Sequence, residues 1–171
     1  MKGLSNGLRR WPVILVFFIA MLLIGMSFAP VRNAIDGPLL DMIWSGTEAE
    51  ARLSELSLDQ RKVHFWGTVI NDTLYPLAYG GFFAGVAGRF TADRRRGLVI
   101  VPAVATIVVD LAENTVQALA LSGSISLLSL KTVLTPLKFG LFAVSVLLAL
   151  GLALAALLHW LSRRKSSRQQ T

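Results

Sequence analysis

Residues 11–29 read WPVILVFFIAMLLIGMSFA, a run from Trp11 to Ala29 without a single charge. At 1.5 Å per residue such a helix reaches about 28 Å, close to the ~30 Å hydrocarbon core of a bilayer. The small residues Ser27 and Ala29 have the look of a signal-peptide cleavage site, but Pro30 follows at once and the run exceeds the usual 7–15-residue apolar core of about that kind of leader. An uncleaved first membrane helix is the expectation.

Working outward, three further apolar blocks cover about 65–88, 98–121 and 132–160, and 54% of the 171 residues are hydrophobic with a mean hydropathy of +0.61. Soluble domains spread their apolar residues by periodicity, whereas here they are concentrated in blocks. The expectation is an all-α integral membrane protein, a single membrane domain built as a four-helix antiparallel bundle. No soluble domain of ~100 residues fits beside it. The absence of cysteine excludes thiolate catalysis, Cys-ligated zinc and iron–sulfur chemistry, and with them the similarly sized quinone-linked disulfide oxidases.

The net charge is +7. The basic residues flank hydrophobic blocks and form no stripe with interleaved aromatics, so no nucleic-acid partner is expected. They act as topology signals. The leader (Lys2, Arg9, Arg10), the 89–97 loop (Arg89, Arg94, Arg95, Arg96) and the tail at 161–171 (Arg163, Arg164, Lys165, Arg168) hold eleven Lys and Arg, against five (Arg32, Arg52, Arg61, Lys62, Lys131) in the other connections. By the positive-inside rule both termini and the 89–97 loop are cytoplasmic. The setting this suggests is a bacterial inner (plasma) membrane, crossed several times, and the tail reads as polar and without fixed structure.

The 30–62 segment then faces outward. Gly37-Pro38 marks a turn, and Leu39, Leu40, Met42, Ile43 and Trp44 form a patch suited to the membrane surface. Thr47-Glu48-Ala49-Glu50 and Ser57-Leu58-Asp59-Gln60 both have capping-box form, predicting one or two short helices, the last running into the second span. In that span Gly81 and Gly85 form GxxxG, with Gly80, Ala84 and Gly88 in a row beside them. Small residues so spaced permit close helix packing, expected inside the bundle rather than at a dimer face.

The chemistry is carried by polar residues within the blocks. Asp110, Glu113, Asn114 and Gln117 sit at i, i+3, i+4 and i+7 on one face of the third helix. Asp72, Tyr75 and Tyr79 share a face of the second, with Asn71 beside them, and Thr135 and Lys138 share a face of the fourth. Glu113 lies about 12 Å and Asp110 about 16 Å below the outer end of their helix, while Asp72 and Lys138 lie roughly 9 Å in. All fall in the outer half, which predicts one outward-facing cluster. A carboxylate at mid-bilayer costs on the order of 2.5–3.5 kcal/mol on insertion scales, so such residues mark function or necessary structure. Three acids face one base, and the economical state pairs one carboxylate with Lys138 and protonates another or sets it against a cation.

Three readings stay open. The cluster binds or passes a proton, a cation or a small cationic ligand; it is interhelical glue, in an accessory subunit gripping a membrane-protein partner or a second copy; or its carboxyls act as acid and base on lipid. The enzyme reading is the least supported, because no Ser/His/Asp set shares one depth and neither a nucleotide loop nor HExxH occurs. No catalytic residue, metal or cofactor is expected. His64 and His159 lie near opposite interfaces, which argues against a shared haem. Pro76, Pro102 and Pro136 are tolerated in membrane helices, and Tyr75-Pro76 and Thr135-Pro136 free local carbonyls beside the cluster.

At Tyr75-Pro76-Leu77-Ala78-Tyr79-Gly80, Asp110-Leu-Ala-Glu113-Asn114 and Leu134-Thr135-Pro136-Leu137-Lys138 the chain resembles small bacterial four-helix inner-membrane proteins of uncharacterised function. The resemblance covers the last three blocks and implies a four-helix membrane fold. It brings no activity with it.

Overall fold

The computed structural model describes residues 7–168, with side chains through Arg163. The topology signals Lys2, Arg164, Lys165 and Arg168 lie outside the described residues or side chains.

The described residues form helices and no strand. In chain order these are α1 (Trp11–Ala34), a 3-10 turn (Leu40–Met42), α2 (Gly46–Glu55), α3 (Leu58–Trp66), a π-helical turn (Gly67–Asp72), α4 (Thr73–Arg89), α5 (Arg96–Leu121), a second 3-10 turn (Leu128–Leu130) and α6 (Lys131–Arg168). Three stretches are long and apolar enough to cross a membrane: Trp11–Ala34, Arg96–Leu121 and Leu128–Arg163. Helix α4 has 17 residues, but α3, the π turn and α4 run on without a break from Leu58 to Arg89.

Several boundaries differ from expectation. Helix α1 runs through Pro30 to Ala34. It ends where Asp36 (φ 51°) and Gly37 (φ 148°) turn left-handed, and Arg52 secures that turn by donating to Ile35 O at 2.7 Å and Asp36 O at 3.2 Å. The cap of α2 is Ser45, whose side chain accepts from Glu48 N–H, rather than Thr47. The capping box at Ser57 and Gln60 is formed. The tail is helical through Arg168: beyond Gly151 it has neither Gly nor Pro to stop the helix, and basic residues suit a helix C-terminus.

Contacts between the long helices follow an inverse order. Asn71 meets Ser27, Gly81 faces Phe17, and Gly85 faces Ile14. A Cβ at Gly81 would lie 2.5 Å from the Phe17 ring, and one at Gly85 2.8 Å from Leu8 O. The GxxxG row is therefore filled by α1, from within the chain. The neighbouring row faces α5: Gly88 meets Ile100 and Arg96, and Gly80 meets Ile107. The glycines let α4 sit close to two helices at once.

Two apolar clusters result. One joins Ile35, Leu39, Leu40, Ala49, Leu56, Val116, Ala120, Leu121 and Leu128. The other gathers Tyr79, Phe83, Ala84, Ala103 and Ala149, with Phe142 packed on it. The 39–44 patch is split between environments: Leu39 and Leu40 are buried in the first cluster, while Met42 and Trp44 are exposed, Trp44 stacking on Phe139 at 5.1 Å between centroids. Elsewhere the apolar surface faces outward. Leu23 on α1 is 62% exposed and Leu147 on α6 is 70% exposed. Contiguous apolar faces of this kind suit hydrocarbon, not water.

The segment from Ile35 to Leu56 is clamped over the ends of α5 and α6. Gly46 N–H donates to Thr132 Oγ1 at 3.2 Å, and a Cβ at Gly46 would lie 2.6 Å from Leu128 O and from Ser129 Cα. Because those neighbours are backbone, Gly46→Ala is expected to lower stability by about 1–3 kcal/mol. Gly97, with nothing within 4 Å, supplies the control: Gly97→Ala is expected to be neutral or stabilising by up to ~1 kcal/mol. Thermal unfolding of the two variants in mild detergent checks this; equal losses would contradict it.

Candidate functional site: a buried acid–lysine cluster

Between the two apolar clusters, α5 and α6 turn polar faces to each other. On α5, Asp110, Glu113, Asn114 and Gln117 are all buried, as the i, i+3, i+4, i+7 spacing requires. On α6, Lys131, Thr135 and Lys138 are buried opposite them. Glu113 Oε1 accepts from Thr135 Oγ1 at 2.5 Å and pairs closely with Lys131, both ionic side chains being 0% exposed. Lys131 Nζ also lies 3.2 Å from Thr135 Oγ1.

Lys138 is the hub. Its Nζ lies 2.8 Å from Glu113 Oε2 and 3.6 Å from Asp110 Oδ1, and it pairs closely with Asp41 from the 3-10 turn after α1. Asp110 in turn accepts from Tyr79 O–H at 2.6 Å. One carboxylate oxygen each of Asp41, Asp110 and Glu113 lies within 4.8 Å of the others. This donor set is of a kind that holds a hard cation, but the Lys138 ammonium reaches all three acids.

The expectation of one base is therefore corrected. Lys131, expected as a topology charge in a connection, is a second buried base. Asp41, expected as an extramembrane acid, is a third carboxylate on Lys138. Its side chain is 21% exposed, against 5% for Lys138 and 0% for Glu113, so Asp41 is where solvent comes nearest. The cluster lies closed beneath the 35–56 segment instead of open to the outside.

Asp72 is buried, and its backbone explains why Pro76 follows it. Pro76 lacks the N–H that would bond the carbonyl four residues back, and Asn114 Nδ2 donates to Asp72 O at 2.6 Å. The carbonyl freed by proline is thus satisfied by the polar face of α5. Asn71 does not join the cluster; its Nδ2 donates to Ser27 Oγ at 2.9 Å on α1. Tyr75 sits at the rim, edge-on to Phe28 and Tyr79. Asn114 Oδ1 and both amide atoms of the fully buried Gln117 have no hydrogen-bond partner among the described residues.

His64, expected at an interface, is 0% exposed. Its Nε2 accepts from Leu40 N–H at 2.9 Å, so that nitrogen is unprotonated, and Nδ1 faces Thr68 Oγ1 at 3.2 Å. The overlying segment is thus pinned twice, by Asp41 on Lys138 and by Leu40 on a neutral imidazole.

Two outcomes are expected. Protonating His64 Nε2 would take the acceptor away from Leu40 N–H, so acid works against this contact. The stability advantage of the wild type over His64→Gln should therefore shrink between about pH 7 and about pH 5; an advantage that stays constant with pH would contradict it. Separately, Lys131→Met should cost about 1–3 kcal/mol, because it leaves the buried Glu113 carboxylate with Lys138 as its one ammonium partner. The double variant Lys131→Met, Glu113→Leu should cost clearly less than the sum of the two single changes; additivity in a double-mutant cycle would argue against the pairing.

No family model matches the chain, and the comparisons found no curated protein and no solved structure similar to it.

Proposed function

We propose that this chain crosses the membrane four times as an antiparallel bundle, with α3, the π turn and α4 as the second crossing and both termini and the 89–97 loop on the cytoplasmic side. On that reading the acid–lysine cluster is a proton- or cation-responsive binding site on the outer side, closed by the 35–56 segment. The inverse contact order of α1 with α4 supports the arrangement, as do the apolar outer faces of α1 and α6 and the basic residues at one end. Because the chain has no cysteine, single cysteines introduced at Glu48 and Arg94 can test it. A membrane-impermeant maleimide on intact cells should label the first and spare the second; the reverse pattern would overturn the orientation.

One observation carries the binding reading: carboxylates from two separate parts of the chain, Asp41 and the Asp110–Glu113 pair, converge on a single ammonium. With all groups ionised, Asp41, Asp110 and Glu113 outnumber Lys131 and Lys138 by one, before Asp72 is added. An unbalanced negative charge in a low-dielectric interior favours uptake of one proton or one cation. The unpartnered amide of Gln117, one turn from Glu113, supports a small polar occupant, since orphaned buried groups cost about 1–3 kcal/mol each. Binding, not passage, is proposed: the polar residues form a closed cluster bounded by apolar ones along α5 and α6.

A second reading, a fastener within an accessory subunit, is favoured by the direct lysine partners of all three converging acids. Thermal stability across about pH 5 to 8, with sodium, potassium, magnesium or calcium salts, separates the two. A site predicts a dependence on pH or on one cation that Asp110→Asn, Glu113→Gln and Asp41→Asn diminish. A fastener predicts that these variants lose stability alike under every condition, with no cation effect.

A further inference from the structure

The far end of the molecule holds a different feature, a cavity of about 570 Å³ lined by Arg9, Arg10, Arg89 and Phe90. It lies where α1 begins and α4 ends. Arg89 is braced in its wall: one guanidinium N–H donates to Arg9 O at 2.7 Å, and the guanidinium carbon stands 4.4 Å over the Trp11 ring. Trp11 meets Phe90 edge-on at 6.1 Å. A stacked, tethered guanidinium is pre-positioned and gives up little freedom on meeting an oxyanion.

We propose that this cavity binds the phosphate of an anionic phospholipid headgroup. The charge around it is positive and poorly neutralised. The carboxylate beside it, Asp93, has an 85% exposed side chain, stands 3.7 Å from Arg9 and is engaged more closely by Arg96. The 24-residue helix α1 starts here with no side-chain cap and no acid in its first turn, so its dipole adds to the attraction for an anion, although Pro12 in that turn offers no N–H. The apolar surface favours a lipid over a free phosphate. Trp11 is 55% exposed, a ring suited to headgroup depth, and Leu15 and Val16, on the next turn of α1, are 56% and 64% exposed, a surface along which an acyl chain would lie. Arginines facing anionic lipid at the cytoplasmic ends of membrane helices are a known mode of lipid recognition. The proposal rests on the membrane reading of the chain and is independent of the acid–lysine cluster.

The test uses the full chain in mild detergent and follows the thermal unfolding temperature as phosphatidylglycerol, phosphatidylcholine or inorganic phosphate is added. Phosphatidylglycerol is expected to raise it saturably, and phosphatidylcholine is not. Arg10→Gln, at an exposed side chain, should shift the half-saturating lipid concentration roughly tenfold upward, the scale of one lost charge-assisted hydrogen bond, and Arg89→Gln should do at least the same. Since Arg89→Gln also removes a brace, the lipid-dependent increment is the readout, not the starting stability. Equal responses to the two lipids, or an unchanged half-saturation in both variants, would overturn the site. A full response to inorganic phosphate at the same concentration would overturn the lipid assignment.

Discussion

The rest of the structure depends on one buried ammonium. Lys138 Nζ stands among Asp41, Asp110 and Glu113 with only 5% of its side chain exposed. Away from water a lone charge is costly enough that each member of such a set is held by the others. Two of the acids come from α5, and the third arrives from a turn 97 residues away in sequence from Lys138. Satisfying the lysine therefore requires α5 against α6 and the 35–56 segment folded down over both.

The remaining devices serve that requirement. Small residues let α4 approach α1 and α5, which brings Tyr79 within hydrogen-bonding reach of Asp110. Pro76 frees a carbonyl that Asn114 then occupies, so a break in one helix's ladder becomes a tie to its neighbour. The π turn at Gly67–Asp72 ends at that tie; such turns are often found near functional positions in helices. Arg52, His64 and Gly46 hold the overlying segment at three places, by a guanidinium on carbonyls, an imidazole on an N–H, and a backbone approach that admits no side chain.

The two ends of the molecule are chemically opposite. One end closes acids and lysines beneath a folded segment that Asp41 alone of the cluster's acids brings appreciably toward solvent. The other leaves arginines around an open cavity beside an exposed tryptophan. The two ends thus offer different chemistry, buried carboxylates and lysines at the first and arginines at the second, and each of the two proposals rests on one of them.

The sequence by itself determined the helical class, the long apolar segments and the polar face of α5, because these follow from local composition and a 3.6-residue period. Asp110, Glu113, Asn114 and Gln117 were legible as one face for that reason, and Thr135 and Lys138 as another. Lys131 carried a signal as well: it stands four residues before Thr135 and seven before Lys138, yet at the edge of an apolar block it reads as a topology charge. Asp41 carried none. It sits in a short irregular turn without a period, and its partner is set by how the segment folds back. The same holds for His64, whose burial depends on Leu40 arriving above it, and for Asn71, drawn to Ser27 by the packing of α1. Only the tertiary structure decided which charges meet, because Coulomb and hydrogen-bond energies depend on distances in space, and those distances are fixed by packing between segments far apart in the chain.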